Sequence, residues 1–354
     1  MTLPGQVVIH SLSTQESYAF DLRRPMRTIA LDPQFAKSGT RAFVCGGMAG
    51  TLVLHEKGWL GHKETVLHAG EGPIWTSKWR GNLIAWANDL VRIIVSTYRK
   101  YSDFLQGVKI YDRDAQVRIT YVDRPPDSPR ADLFKCNLYW QDDATLLIAW
   151  ADYIKVARIR ARPRATAGPS ALPPLYVEVT AAFQLDCMIS GIVPHPTPPS
   201  LTVSSLHAPK SFLVLAYISP DKFSNEATID RAEQARKAAN RPELRIISRV
   251  GEELSSDELS LNGFHLFGCN DYALAEAEGL SELSGQQCYV VLSPRSIVLV
   301  RPRDKKDHVE WLVQQKKYES ALEVVEAMDG EGVNASEIGQ QYMEHLFEEG
   351  NTFL

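Results

Sequence analysis

The sequence predicts a mostly β chain with a helical end, on three observations. The motif Leu83-Ile84-Ala85-Trp86-Ala87-Asn88-Asp89 returns as Leu147-Ile148-Ala149-Trp150-Ala151-Asp152. Short strand-like runs punctuated by Gly and Asp fill the chain to about residue 302. From Asp304 onward the apolar residues recur at helical spacing. The motif copies lie 64 residues apart, too far for one sheet of a repeating array. Segment 91–106, between them, does not fit the pattern, and without its 16 residues the offset is 48. That falls within the period of about 40–50 residues expected for four-stranded blades. The expectation is an incomplete β-propeller over 1–303 and the first helices of an α-solenoid over 304–354.

The strand-like runs begin with Val7-Val8-Ile9-His10-Ser11-Leu12, Tyr18-Ala19-Phe20-Asp21-Leu22 and 26–33. Ala42-Phe43-Val44-Cys45 and Thr51-Leu52-Val53-Leu54 follow, separated by Gly46-Gly47-Met48-Ala49-Gly50. With no helical stretch between them, these runs predict antiparallel pairing. Blade strands bury both faces, so the inner ones read as continuously apolar rather than alternating. Phe43, Ile84 and Ile148 are expected at the same place in three successive units. Further along, 212–218 is expected to pair with 244–247. Segments 266–268, 288–292 and 296–300 would close the series. About four whole units and a partial one at the start emerge, so the chain is expected to open in mid-blade.

Three segments break the pattern. Proline-rich 162–174 and 194–200, the latter within a loop over 194–206, cannot be central strands. Segment 221–242 is charged and alanine-rich (Ala232, Ala235, Ala238, Ala239) and too poor in apolar surface to pack. All three are expected as exposed loops. After Asp304, Asp307-His308-Val309-Glu310 has the form of a capping box. Trp311, Leu312, Leu322 and Val325 supply one helical face, with Lys316-Lys317-Tyr318 as a corner. Ile338, Tyr342, Leu346 and Phe347 supply another, and stacked helical hairpins need neighbours to cover such faces.

Composition is that of a globular chain: 354 residues, 44% hydrophobic and 23% charged. A net charge of −5 gives no global electrostatic reason to bind nucleic acid. No apolar run reaches the ~18 residues needed to span a bilayer, and the first residues lack the form of a signal peptide. Cys45, Cys136, Cys187, Cys269 and Cys288 are odd in number and scattered, which predicts buried thiols and a cytosolic address rather than a disulfide framework. Asn334-Ala335-Ser336 is a formal glycosylation sequon without consequence in the cytosol.

The sequence carries no nucleophile elbow, phosphate-binding P-loop or His-Glu-x-x-His helix. The glycine cluster 46–50 lacks the following helix that aims amides at a phosphate, so it predicts a tight turn. His62 and His68 near Glu64 could be imagined around a metal, but no third ligand stands at a diagnostic spacing. Asp142-Asp143 is a paired carboxylate, or simply a turn. Lys155, Arg158, Arg160, Arg162 and Arg164 form the sharpest charge feature. The four arginines alternate and would share one face toward an anionic partner or lipid headgroup, or line a solvated outer strand. Trp75, Trp79, Trp86, Trp140 and Trp150 could form a binding cage, and at repeat-equivalent positions are expected as core fillers instead. No catalytic, cofactor-binding or metal-ligating residue is assigned, and no cofactor is expected.

Longer motifs carry a resemblance. Gly58-Trp59-Leu60-Gly61, Val66 through Trp75 (Val-Leu-His-Ala-Gly-Glu-Gly-Pro-Ile-Trp) and Lys78-Trp79-Arg80-Gly81-Asn82 leading into Leu83 resemble the vacuolar protein sorting-associated protein 41 family. Asp123-Arg124-Pro125, Ser128-Pro129-Arg130-Ala131-Asp132-Leu133, Trp140-Gln141-Asp142-Asp143 and the second motif copy strengthen it. The similarity runs over the whole chain and is least between 162 and 262. It implies a WD-type propeller followed by a long α-solenoid and, usually, a RING-like zinc-binding domain. It implies a subunit of the homotypic fusion and protein sorting (HOPS) tether, acting at late endosomes, vacuoles or lysosomes before fusion. Implied partners are other tether subunits, a late-endosomal or vacuolar Rab GTPase, adaptor protein complex 3 and a peripheral membrane contact. Set against that pattern, the chain is expected to lack the first blades, most of the solenoid and the RING-like region, and contacts made through those parts are not carried over to it.

In the family pattern Asn88-Asp89-Leu90 runs directly into Gly107-Val108-Lys109. Segment 91–106 is therefore either a genuine blade-loop insertion or a translated intron. It is in frame, starts with a Val codon (GT) and ends with Gln, whose codon can end in AG. The expected function is a non-enzymatic scaffold in vesicle tethering. The alternatives are a coat-type or nucleoporin-like propeller-solenoid scaffold and a propeller hydrolase with polar residues converging on its channel.

Overall fold

The computed structural model describes residues 5–11, 14–59, 61–70, 72–88, 107–123, 133–163, 173–195, 211–219, 239–277, 287–301, 305–314, 316–326 and 334–351. They divide into two compact units, Met1–Ala275 with Val291–Val298, and Glu276–Val290 with Leu299–Leu354.

In the first unit, β1 (Gln6–His10) and β2 (Ser17–Asp21) form a two-stranded sheet. Four sheets of four antiparallel strands follow, each strand bonded to its neighbour in sequence. The first comprises β3 (Met26–Leu31), β4 (Phe43–Gly47), β5 (Leu52–Gly58) and β6 (Gly61–His68). The second comprises β7 (Ile74–Arg80), β8 (Leu83–Asn88), β9 (Gly107–Asp112) and β10 (Val117–Asp123). The third comprises β11 (Asn137–Asp142), β12 (Thr145–Trp150), β13 (Tyr153–Ala161) and β14 (Leu175–Gln184). The fourth comprises β15 (Met188–His195), β16 (Ser211–Tyr217), β17 (Glu243–Ser248) and β18 (Glu253–Glu258). A three-stranded sheet of β19 (Ala273–Glu276), β20 (Tyr289–Leu292) and β21 (Ile297–Val300) ends the series.

The second strand of each of the first three four-stranded sheets is buried at every residue, because it packs on both faces. Ala30, Val44 and Leu54 meet Ile74, Trp79, Ile84 and Trp86 in one core. Leu83, Ala85 and Ile110 meet Leu138, Trp140, Ile148 and Trp150 in the next. Leu147, Ala149, Ile154 and Val156 meet Ile189, Phe212, Val214 and Ile247 in a third. Successive sheets thus stack face to face in chain order, as propeller blades do. The repeated motif is one device used twice: Ile84/Ile148 and Trp86/Trp150 face the preceding sheet, Leu83/Leu147 and Ala85/Ala149 the following one. Phe43 faces backward in the same way, onto the β1–β2 side, with its ring 4.7 Å from Phe20.

Three expectations need correction. Segment 266–268 is not a strand: Gly263, at φ 72°, starts a 3-10 turn over Phe264–Leu266, and the strand that follows is β19. The Gly268 N–H donates to the Asp271 carboxylate at 2.7 Å, closing the segment on itself. Pro194 belongs to β15 rather than to a loop. It is tolerated because β15 is the terminal strand of its sheet, with one edge that needs no ladder donor. The third correction is helical. In the second unit α1 (Lys305–Gln314) starts two residues before Asp307, which lies in the first turn, where its charge favours the helix dipole, rather than at the N-cap.

The corner at Lys316-Lys317 is present. Lys316 is left-handed (φ 58°) and donates to the Val313 carbonyl, while Lys317 donates to Leu312, both at 2.9 Å, the paired bonds of a Schellman stop. Then come α2 (Tyr318–Glu326) and α3 (Ala335–Asn351). The Asn334 side chain caps α3 by accepting from the Ser336 N–H at 3.2 Å. Val309, Leu312, Ala321, Val325 and Ile338 make the helical core. Met343, Leu346 and Phe347 of α3 remain exposed, at 55%, 46% and 68%. No helix among the described residues is long and apolar enough to cross a membrane.

Candidate functional site

The residues that suggested chemistry are distributed by the fold into separate structural tasks. His62 and His68 sit on one strand, six residues or about 20 Å apart, too far to share an ion. The His62 ring meets Phe20 edge-on at 5.2 Å, and Glu64 lies 3.6 Å from His55. His68 is buried beside Trp86. Burial, with Lys109 and Arg118 adding positive potential, pushes its imidazole down to about 4. No group of metal-binding side chains occurs among the described residues.

Asp142 and Asp143 form a turn: Asp142 accepts the Ala144 N–H at 2.8 Å, and exposed Asp143 accepts from Arg80 at 2.8 Å. The glycine cluster ends β4 and forms the β4–β5 turn, and its glycines permit close packing, Gly46 against the next blade and Gly47 against the chain entering β3. A Cβ on Gly46 would stand 2.9 Å from that of Ile74, and one on Gly47 would stand 2.4 Å from the Pro25 carbonyl. All five cysteines are free and buried, and burial pushes the Cys45 and Cys187 thiols up to about 12.

The basic stripe lies on β13, the third strand of its sheet, and β14 rather than β13 is the edge. Arg158 and Arg160 share a face with Ile154 and Val156, while Lys155 points to the opposite face and donates to the Asp123 carbonyl at 2.6 Å. Arg160 pairs with Glu178 of β14 at 2.5 Å. Arg162 donates to the Pro173 carbonyl at 3.1 Å and stacks 5.5 Å from the Tyr176 ring. Arg164 lies outside the described residues, as do 91–106. Arg160 and Arg162 are thus held by Glu178, Tyr176 and the Pro173 carbonyl rather than arrayed together toward solvent.

Trp79, Trp86, Trp140 and Trp150 are core fillers, 8%, 1%, 7% and 3% exposed. Trp75 differs: it is half-buried, with the Arg27 guanidinium 4.0 Å over its ring. Two residues escaped the sequence reading. Lys109 is buried at 2%, with its ammonium 5.6 Å from the Tyr121 ring, and burial pushes it down to about 8. Its neighbours Val108 and Ile110 are both buried, and the lysine is hidden inside that inner run. Trp59 had entered only as part of a motif, yet it stands fully exposed at the tip of the β5–β6 hairpin. The sequence signal was available: a turn carrying Trp-Leu where Asn-Gly is usual.

The profile of the Vps41 β-propeller family, described as "Vps42 beta-propeller", matches residues 2–301. The vacuolar protein sorting-associated protein 41 homolog of Solanum lycopersicum is 38% identical over 359 residues, covering 98% of this chain and 34% of the relative. That of Arabidopsis thaliana is 38% identical over 364 residues, with 98% and 34% covered. That of Homo sapiens is 34% identical over 353 residues, with 98% and 36% covered. The chain therefore spans about a third of the length of these relatives. Its stacked four-stranded sheets and the match over 2–301 place it in one group: the chain belongs to the Vps41 β-propeller family.

Proposed function

We propose that this chain is a non-enzymatic scaffold in vacuolar protein sorting, acting within a tether that joins late endosomes, vacuoles or lysosomes before fusion. The observation that supports it most is the family match across the stacked sheets, which leaves these residues engaged in packing and turns rather than converged on a reaction centre. Its partners are other tether subunits, a late-endosomal or vacuolar Rab GTPase and adaptor protein complex 3, with a peripheral contact to membrane. Weak sites on a rigid array combine through high effective concentration, so affinity arises without any one deep pocket.

The test is capture from cytosol of tagged chain, with and without 91–106, followed by mass spectrometry. Recovery of tether subunits, the Rab GTPase or the adaptor complex is the expected outcome. Reproducible recovery of coat subunits in their place would replace the tether reading with the coat-type scaffold.

A further inference from the structure

The β5–β6 hairpin ends in an arrangement that local folding does not require. Its register pairs Glu56 with Lys63, Lys57 with His62 and Gly58 with Gly61, so the connection is the two-residue Trp59-Leu60. Two-residue hairpin turns favour Asn, Asp or Gly at the central positions, where positive φ is needed. Here the glycines stand beside the turn: Gly61 takes φ 127°, and a Cβ there would meet nothing within 4 Å. The flanking freedom lets Trp59, a large apolar residue, stand at the tip. Trp59 buries nothing in return, at 101% of its reference exposure.

The charges around it are sorted by sign. Glu56 is held by Arg113 at 2.7 Å, and Arg113 is held in turn by Asp32 at 2.9 Å. Glu64 lies against His55, and the His62 ring against Phe20. Lys57 and Lys63 are exposed and form no ion pair among the described residues. The neighbouring loop 33–41 is tied to the hairpin by the Lys57 N–H, which donates to the Thr40 carbonyl at 2.6 Å, and it contributes exposed Lys37. Glu56 is held by a permanent cation while Glu64 stays 64% exposed, and the three lysines presented to solvent outnumber that one open carboxylate.

We propose that this tip, Trp59 with Lys37, Lys57 and Lys63, is a contact for the headgroup layer of an anionic lipid bilayer. It rests on the peripheral membrane contact in the functional reading above and gives that contact a place. Protein interfaces enrich tryptophan but deplete lysine, whereas an anionic bilayer rewards both. Tryptophan sits at headgroup depth with its ring amphipathic, and each lysine near the surface adds Coulomb attraction. The tip is also the projecting end of a hairpin, suited to a yielding layer.

The experiment is flotation of the full chain with vesicles of phosphatidylcholine, alone or mixed with phosphatidylserine. Binding is expected to the mixed vesicles and to fall in roughly 1 M salt, where the screening length is about 3 Å. Trp59→Ser is expected to lower partitioning by about tenfold or more with the melting temperature unchanged, since the side chain packs on nothing. Lys57→Gln with Lys63→Gln is expected to lower it roughly thirtyfold on anionic vesicles, and little on neutral ones. Wild-type chain that floats with neither vesicle, or Trp59→Ser chain that floats like wild type, overturns the proposal. Either result leaves the scaffold reading standing, because that depends on capture of tether subunits.

Discussion

At the scale of the residue, the informative positions are polar groups placed where the pattern reads apolar. His68 and Lys109 lie in the interior beside Trp86 and Tyr121, and burial favours the neutral form of both. For His68 the folded value is depressed from 6.5 to about 4, so the unfolded chain binds the proton more readily between those values. Stability is full above pH 6.5 and is lost as pH falls toward 4, by up to about 3 kcal/mol from this group. His68→Gln removes that contribution. Thermal unfolding of both proteins across pH 4 to 7 is expected to show a shallower decline in the variant, and parallel curves would refute the assignment. The sequence showed His68 as a possible ligand because it cannot reveal which side of a strand faces the next blade. The tryptophans were legible, since Trp86 and Trp150 repeat within one motif and repetition marks packing.

At the scale of the element, the β8–β9 hairpin carries the sharpest consequence. Asn88 pairs with Gly107, so the two strands are ladder neighbours across 89–106. Removal of 91–106 leaves Asp89-Leu90 as a two-residue connection between strands already in register. Shortening an 18-residue connection to two is about three halvings of length, worth about 2 kcal/mol in closure entropy at most. The deletion is therefore expected to preserve the sheet and to hold or raise the melting temperature. A fall of several degrees would show that the segment supplies contacts to the blade. Inner strands such as β8 and β12 were readable as unbroken apolar runs. β18 was not, because its Glu-Leu-Ser-Ser-Asp-Glu sequence is exposed throughout and carries no burial signal. Nor was β19, whose place the apolar run at 266–268 had claimed.

At the scale of the whole molecule, the described residues form four sheets of four strands with one sheet of two and one of three, and apolar side chains lie bare on outer strands. Ile29 and Leu31 of β3 are 42% and 39% exposed, and Ile297 of the terminal strand β21 is 77% exposed. Unpaired edges with apolar side chains template association between copies. Ile297→Lys is expected to reduce self-association in sedimentation velocity at high concentration, with little change in melting temperature. Unchanged association would place the sticky surface elsewhere. The sequence by itself determined the blade repeat, the strands that bury both faces and the helical corner at Lys316, because periodicity and turn chemistry are local properties of the chain. Only the tertiary structure decided that β13 is flanked by β14, that His68 and Lys109 lie inside, and that Trp59 lies outside. Those outcomes depend on which sheet covers which face, and that is a relation between distant segments.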